Sequence, residues 1–230
     1  MTDGRPFHIT IARQLGSGGS YLAQRLAHRL GFVYLDHQIL EQAARELDTN
    51  GSELVRRKER IQSFWTKLLQ TFATGCPEDI QSPPPLRLIS DDELIAAEHR
   101  VLLKLAARGS CVILGRCAFH RLKGRAGLIN IFVHAEQDFR IGRVMQVYHA
   151  PDPEAAKHMI DRTDNDRRRY VQKICGVSWY DLRNYHLTVD ISRVGFEAAE
   201  DMIVAMAERL MEQADDAPSP RSGGQGGGTI

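Results

Sequence analysis

The sequence predicts an α/β protein built on a doubly wound, five-stranded parallel sheet. Three observations carry this reading. Five short apolar runs are spread along the chain with helical patterns between them. The first run opens into a glycine-rich turn that leads straight into an amphipathic helix. A strongly basic helical segment lies late in the chain, before the last run.

The first strand is predicted over Phe7–Ala12, followed by Arg13-Gln14-Leu15-Gly16-Ser17-Gly18-Gly19-Ser20. Gly16, Gly18 and Gly19 permit positive φ and place no side chain between the backbone and an anion. A helix starting at Ser20 would point its orphan N–H groups and positive dipole end at that anion. Laid on the pattern G-x-x-x-x-G-K-[ST], the octapeptide departs twice: Arg13 replaces the leading Gly, and Gly19 replaces the Lys. Ser20 is kept, where a hydroxyl would meet Mg²⁺. Gly16, Ser17, Gly18, Gly19 and Ser20 are therefore the candidate phosphate cradle. The alternative is a strand-to-helix turn that binds nothing, and the loop alone does not decide between them.

The helix after the loop carries Leu22, Leu26 and Leu30 on one face and ends at Gly31. The second strand, Phe32–Asp36, places Asp36 at the edge where open α/β sheets bind ligands. Asp36 is equally suited to cap a helix through Ile39, Leu40, Ala43 and Ala44. Residues 40–108 read as a helical insertion, a substrate-binding flap. Glu53–Phe72 is amphipathic, Thr74–Ser90 with its three consecutive prolines is a loop, and Asp91–Arg108 is a helix with Ile95, Val101, Leu102 and Leu105 inward.

The third strand, Cys111–Leu114, is continuously apolar, as in a strand buried on both faces. The Gly115-Arg116-Cys117 that follows puts an arginine where its bidentate fork can grip a phosphate; a structural ion pair is the other role open to it. The fourth strand is Ile129–Ala135, and the helix after it carries Arg140 and Arg143. The densest charge cluster runs from Asp161 to Tyr170. On a helix Asp164, Arg167 and Tyr170 share a face, with Arg162 near the turn before. Such a face can close over a triphosphate and lend guanidinium groups to a moving phosphoryl group, or simply be solvated. The last strand is predicted over Leu187–Ser192 and a closing helix over Phe196–Met211. The tail, 214–230, is rich in Gly, Ser, Pro and Asp and is expected to be disordered.

Composition narrows the functional classes. With 30 basic and 29 acidic residues the net charge is +1, which argues against a nucleic-acid or anionic-membrane partner recognised by global charge. Four cysteines lack C-x-x-C spacing and suggest reduced thiols in a cytoplasmic protein. The histidines are scattered, without the spacing of a zinc site.

Taken together, Ile11–Gly19, Tyr34-Leu35-Asp36, Cys111–Ala118, Asp164–Tyr170 and Trp179–Tyr185 resemble, in order and spacing, the cytidylate kinase-like branch of the P-loop nucleoside monophosphate kinases. The resemblance spans roughly residues 7–210. It implies a kinase domain over 1–213, sheet order 2-3-1-4-5, a nucleotide-binding insertion, and a mobile arginine lid over 148–180. It also implies transfer of a phosphoryl group from ATP, with Mg²⁺, to CMP or dCMP. By position, Gly16–Ser20 would hold the donor phosphates and Ser20 the metal. Asp36, Arg116 and Asp164 would bind the acceptor, with Asp164 also able to orient Arg167. Arg162 and Arg167 would be lid arginines, and Arg143 a phosphate contact at the lid's base.

Two departures from cytidylate kinases stand out. The Gly-Lys-[Ser/Thr] of their loop is Gly19-Ser20 here, and the Asp-Gly-Arg-Asp run after strand three is Leu114-Gly115-Arg116-Cys117. Arg13, just before the loop, is expected to fold over the phosphates in place of the lysine. A nucleotide-binding sensor without turnover, or a P-loop kinase for another small acceptor, are the competing functions.

Overall fold

The computed structural model describes residues 6–36 and 92–216. The helices predicted over 53–72 and from Ile39, the loop 74–90, and most of the tail lie outside the described residues. Five strands alternate with helices: β1 (His8–Arg13), α1 (Gly19–Leu30), β2 (Val33–Leu35), α2 (Asp92–Ala106), β3 (Cys111–Leu114), α3 (Ala118–Arg121), β4 (Leu128–His134), α4 (Gln137–Tyr148), α5 (Pro153–Cys175), β5 (Leu187–Asp190), α6 (Ile191–Val194) and α7 (Phe196–Asp216). Every strand pairing is parallel and the order is β2-β3-β1-β4-β5. This is the sheet order the resemblance implies.

The period-two alternation of β1 sorts its residues between the two faces. Ile9 and Ile11 pack with Leu22, Leu26, Ile203 and Ala207 of α1 and α7. Ala12 faces the other side, in a cluster with Phe119, Phe132, Tyr170, Val171 and Trp179. Beside it, Thr10 Oγ1 donates to Asn130 Oδ1 at 2.7 Å. Asn130 Nδ2 donates in turn to the carbonyls of Phe119 and Asn184. A one-residue slip of β1 against β4 would strand this buried polar set in an apolar layer, so it fixes the register.

Local signals set the ends of the elements. Gly31 closes α1 in the left-handed region, φ 66°, its N–H donating to the carbonyls of Ala27 and His28. α5 begins with Asp152, which accepts from the N–H of Ala155, then Pro153, and ends at the left-handed Gly176. The fifth strand is shorter than its apolar pattern. Asp190 Oδ1 accepts from the Ser192 N–H at 3.0 Å, and this cap turns Ile191–Val194 into a helical turn.

The segment expected as a lid contains the 23-residue α5, about 35 Å long. Its amino-terminal half packs Ala156 and Ile160 against Leu15, Val144 and Ala150. Its carboxyl-terminal half packs Tyr170 and Val171 over the end of the sheet.

Candidate active site

At the carboxyl edge of the sheet, β1 feeds a helix on one face while neighbouring β3 feeds one on the other, since α1 packs with Ile9 and Ile11 whereas Ala118 and Leu122 join the opposite cluster with α2. This is a topological switch point, where open α/β sheets bind ligands.

The glycine loop sits there. Gly16 and Gly18 have φ of 79° and 77°, and successive left-handed turns of this kind aim backbone N–H groups into a shared concavity. Gly18 is the N-cap of α1, with no side-chain cap and no acidic residue in the first turn. The first-turn N–H groups are thus left for an anion. Close approach also requires these glycines. A Cβ on Gly16 would stand 2.7 Å from the carbonyl oxygen of Arg140, and one on Gly18 would stand 2.3 Å from the Phe196 ring. Ser17 is fully buried and spends its hydroxyl on the carbonyl of Gln14 at 2.8 Å, so it braces the loop from inside. Ser20 is half-buried in the first turn of α1.

The Arg13 stem lies against the end of this loop and its guanidinium runs on toward β3. Its Cβ lies where a Gly19 Cβ would be 2.5 Å away, and its guanidinium reaches a point 2.8 Å from where a Gly115 Cβ would stand. The side chain therefore crosses from the start of α1 to the end of β3, and the glycines at 19 and 115 let it through. Burial depresses its pKa, with the charge of Arg116 adding to the effect while Tyr34 and Asp36 oppose it. Its Nε is buried and no atom among the described residues accepts from it.

Arg116 closes the far side of this cleft. It sits in a turn in which Gly115, Arg116 and Cys117 all have positive φ, 75°, 52° and 56°. For two non-glycine residues this is strained backbone, at a cost on the order of 1–3 kcal/mol each. Arg116 pairs with buried Glu98 of α2 at 3.2 Å and stacks on the Tyr170 ring at 5.6 Å. The ion-pair role left open for it is thus present. Asp36, buried at the end of β2, lies within electrostatic reach of Arg13.

Arg167 enters from α5. Its Nη1 donates to the carbonyl of Arg13 at 3.0 Å and to Asp164 Oδ1 at 3.4 Å. Burial, reinforced by the Arg13 charge, makes the cation costly and lowers its pKa. Arg13, Arg116 and Arg167, with Tyr170, Trp179 and Phe119, line one cleft.

Asp164, expected among the acceptor contacts, lies beneath the loop with both oxygens on chain partners. Oδ1 accepts from the Leu15 N–H at 2.8 Å and Oδ2 pairs with Arg140. Burial pushes its carboxyl up while Arg140 and Arg167 oppose. Arg143 stands beside the loop, about 3.5 Å from where a Gly18 Cβ would be, with its guanidinium 5.0 Å above the Phe196 ring. Arg162 is exposed on α5.

Sequence reasoning gives no role to Arg140 or Glu98. Arg140 Nε donates to the Leu15 carbonyl at 2.7 Å, so with Asp164 it fixes both backbone groups of Leu15. Its signal was position: it shares the inward face of α4 with Val144, four residues on. Glu98 had no such signal, because its partner lies 18 residues away on another element.

A switch-point glycine loop with an uncapped helix behind it and clustered arginines in front defines a P-loop kinase-type protein. The chain belongs to the cytidylate kinase-like family, which it matches over residues 8–193. Among solved structures it is similar to an uncharacterized protein from Eubacterium ventriosum ATCC 27560, at 22% identity and TM-score 0.65, covering 88% of this chain and 98% of that one. A gluconokinase from Sinorhizobium meliloti 1021 aligns at 15% identity and TM-score 0.49, over 91% of this chain and 98% of the other. A shikimate kinase from Acinetobacter baumannii aligns at 15% identity and TM-score 0.45, over 90% and 94%. No curated protein matches the chain.

Proposed function

We propose that the protein transfers a phosphoryl group from ATP to a nucleoside monophosphate, CMP or dCMP first among them. The observation that carries this is the path of Arg13, which joins the glycine loop at Gly19 to the arginine-lined cleft at Gly115. A donor phosphate on the loop and an acceptor phosphate in the cleft would meet at this side chain. Phosphoryl transfer asks mainly for positioning and for positive charge around the transferring group. Arg13 supplies that charge from β1, in place of the lysine that position 19 lacks.

In this reading Gly16, Gly18, Gly19 and Ser20 hold the donor phosphates through backbone N–H groups, Ser17 keeps the loop in shape through its two bonds to the Gln14 carbonyl, and Arg143 flanks the phosphates. Arg116 and Asp36 face the acceptor, and Arg167 leans in from α5 on the transferring phosphoryl group. Arg162 joins them only if α5 shifts. Asp164 acts indirectly, by orienting Arg167 and pinning Leu15.

The residues suit Mg²⁺. Magnesium in such sites takes one or two protein ligands and completes its shell with phosphate oxygens and water. Ser20 offers a hydroxyl in the first turn of α1, and no cage of three or more His, Cys, Asp or Glu is present among the described residues. Ser20 would help to hold the ion, which when bound would supply positive charge against that developing on the transferring group.

ADP release by the purified protein with Mg-ATP, against a panel of nucleoside monophosphates, tests this. Stimulation by CMP or dCMP is expected, with loss of at least 100-fold in Arg13→Ala. ATP binding without acceptor-dependent turnover would support a nucleotide sensor instead. Stimulation by a different small acceptor would move the acceptor assignment and keep the reaction class.

A further inference from the structure

Two cysteines stand together at the end of α5, outside every role assigned above. Cys175 is the last residue of that helix, and Cys117 is the last residue of the strained turn that carries Arg116. Both belong to the apolar cluster over the sheet edge. Their thiols are neighbours that interact directly with one another. Cys117 is buried, whereas Cys175 is partly exposed, and both are free thiols. Cys111, the remaining described cysteine, is buried in β3 with its Sγ–H on the Gly109 carbonyl at 3.3 Å.

We propose that Cys175 and Cys117 form a redox-active dithiol that a hydroperoxide converts to a disulfide, fastening the end of α5 to the turn that presents Arg116. The difference in exposure orders the chemistry, since a peroxide reaches partly exposed Cys175 before buried Cys117. Contact with Cys117 lowers the Cys175 pKa against the opposing effect of burial, with the Arg121 charge adding to the lowering, whereas the same contact and burial raise that of Cys117. A lowered, accessible thiol attacks and its protonated neighbour resolves. The Cys175 thiolate displaces hydroxide from the peroxide and becomes a sulfenic acid. Cys117 then attacks that sulfur as its own proton leaves, and water departs. In total two thiols and one peroxide give one disulfide and two waters, and a small-molecule thiol reverses the change by exchange.

The bond would act on function through position alone. Arg116 lines the cleft and Arg167 lies two turns upstream of Cys175 on α5. A covalent tie between the two elements holds α5 against the sheet and blocks any lifting of the helix that substrate entry requires. This last consequence rests on the kinase reading, and the disulfide itself does not.

The test takes the full, reduced chain through a hydrogen peroxide titration, followed by alkylation and peptide mapping without reductant. The expected result is a cross-linked peptide pair carrying Cys117 and Cys175, lost on reduction and absent in Cys175→Ser. Oxidised wild-type protein should also melt at a higher temperature than reduced protein, while Cys175→Ser shows no such rise. In parallel, acceptor-dependent ADP release should fall at least fivefold on oxidation and recover on reduction, with Cys175→Ser indifferent to peroxide and unchanged in basal rate. Cross-links made through Cys76, Cys175 oxidised to sulfinic acid without a cross-link, or no thiol loss would overturn the proposal. A chain that cross-links as expected but never turns over would overturn the kinase reading and leave the dithiol standing.

Discussion

Nη1 of Arg167 donates to the backbone carbonyl of Arg13 across 3.0 Å, tying the long helix α5 to the last residue of β1. The same guanidinium also reaches Asp164, whose other partners are Arg140 and the Leu15 N–H. One buried set of charges thus fixes the entrance to the glycine loop and the helix that covers it.

Substituting Arg167 by Lys keeps the charge but removes the fork that reaches two acceptors at once. Acceptor-dependent ADP release should fall roughly 100-fold, on the scale of a lost charge-stabilising donor. Arg168→Ala is the control, since Arg168 is exposed and, among the described residues, bonds to Asn165 at 2.8 Å. Its rate should stay within about twofold, as expected for an exposed pair worth under 1 kcal/mol. Equal losses in both variants would show that Arg167 has no special place in the reaction.

Asp164→Asn should be among the most destabilising single changes in the chain. It leaves the guanidinium groups of Arg140 and Arg167 buried without their carboxylate, which costs about 3–5 kcal/mol. Urea unfolding monitored by circular dichroism reads this directly. A loss below about 1 kcal/mol would mean that water reaches these cations in the folded protein.

Position 19 carries a paired prediction. Gly19→Lys restores the residue typical of P-loop kinases, yet its Cβ would sit 2.5 Å from that of Arg13. The single variant should lose about 1–3 kcal/mol by overpacking. Adding Arg13→Gly removes the obstructing side chain, so the double variant should recover much of the loss by urea unfolding. Additive losses would mean that the two side chains do not compete for this space.

Stability should also decline in mild acid. His8 and His99 are buried, and burial pulls each down to about 4. Between roughly pH 6.5 and 4 the unfolded chain binds more protons than the folded one, so stability is full above 6.5 and drains away as pH falls. Each histidine contributes up to about 3 kcal/mol across that window. Replacing His8 with Gln should flatten the fall in Tm between pH 6.5 and 4. An unchanged slope would show that His8 does not titrate differently on folding.

Much of the fold was legible in the residues. Cys111–Leu114 matches β3 end for end, because a continuous apolar run between a glycine and a turn has few other places to go. Gly31 and Gly176 end their helices in the left-handed region, as glycine past a helix terminus predicts. Ser192, by contrast, belongs to a helical turn, because an Asp190 cap competes with strand propensity and apolar periodicity does not register capping.

The site divides in the same way. The glycine loop was visible because positive φ, close backbone approach and helix initiation all impose residue types on consecutive positions. The direction of Arg13 was not visible, nor were the partners of Asp164. Whether a long side chain runs along its own loop or across to the next strand depends on where Gly19 and Gly115 leave room. Likewise Asp164 meets Leu15 and Arg140 at separations of 149 and 24 residues.

The sequence by itself determined the strands, their parallel class, the loop and the inventory of arginines, since these follow from local sterics and the burial of apolar periodicity. Only the tertiary structure decided which charges neutralise one another beneath the loop and which face the cleft. Pairing of buried charges is settled by packing between elements distant in the chain, and no local rule encodes that distance.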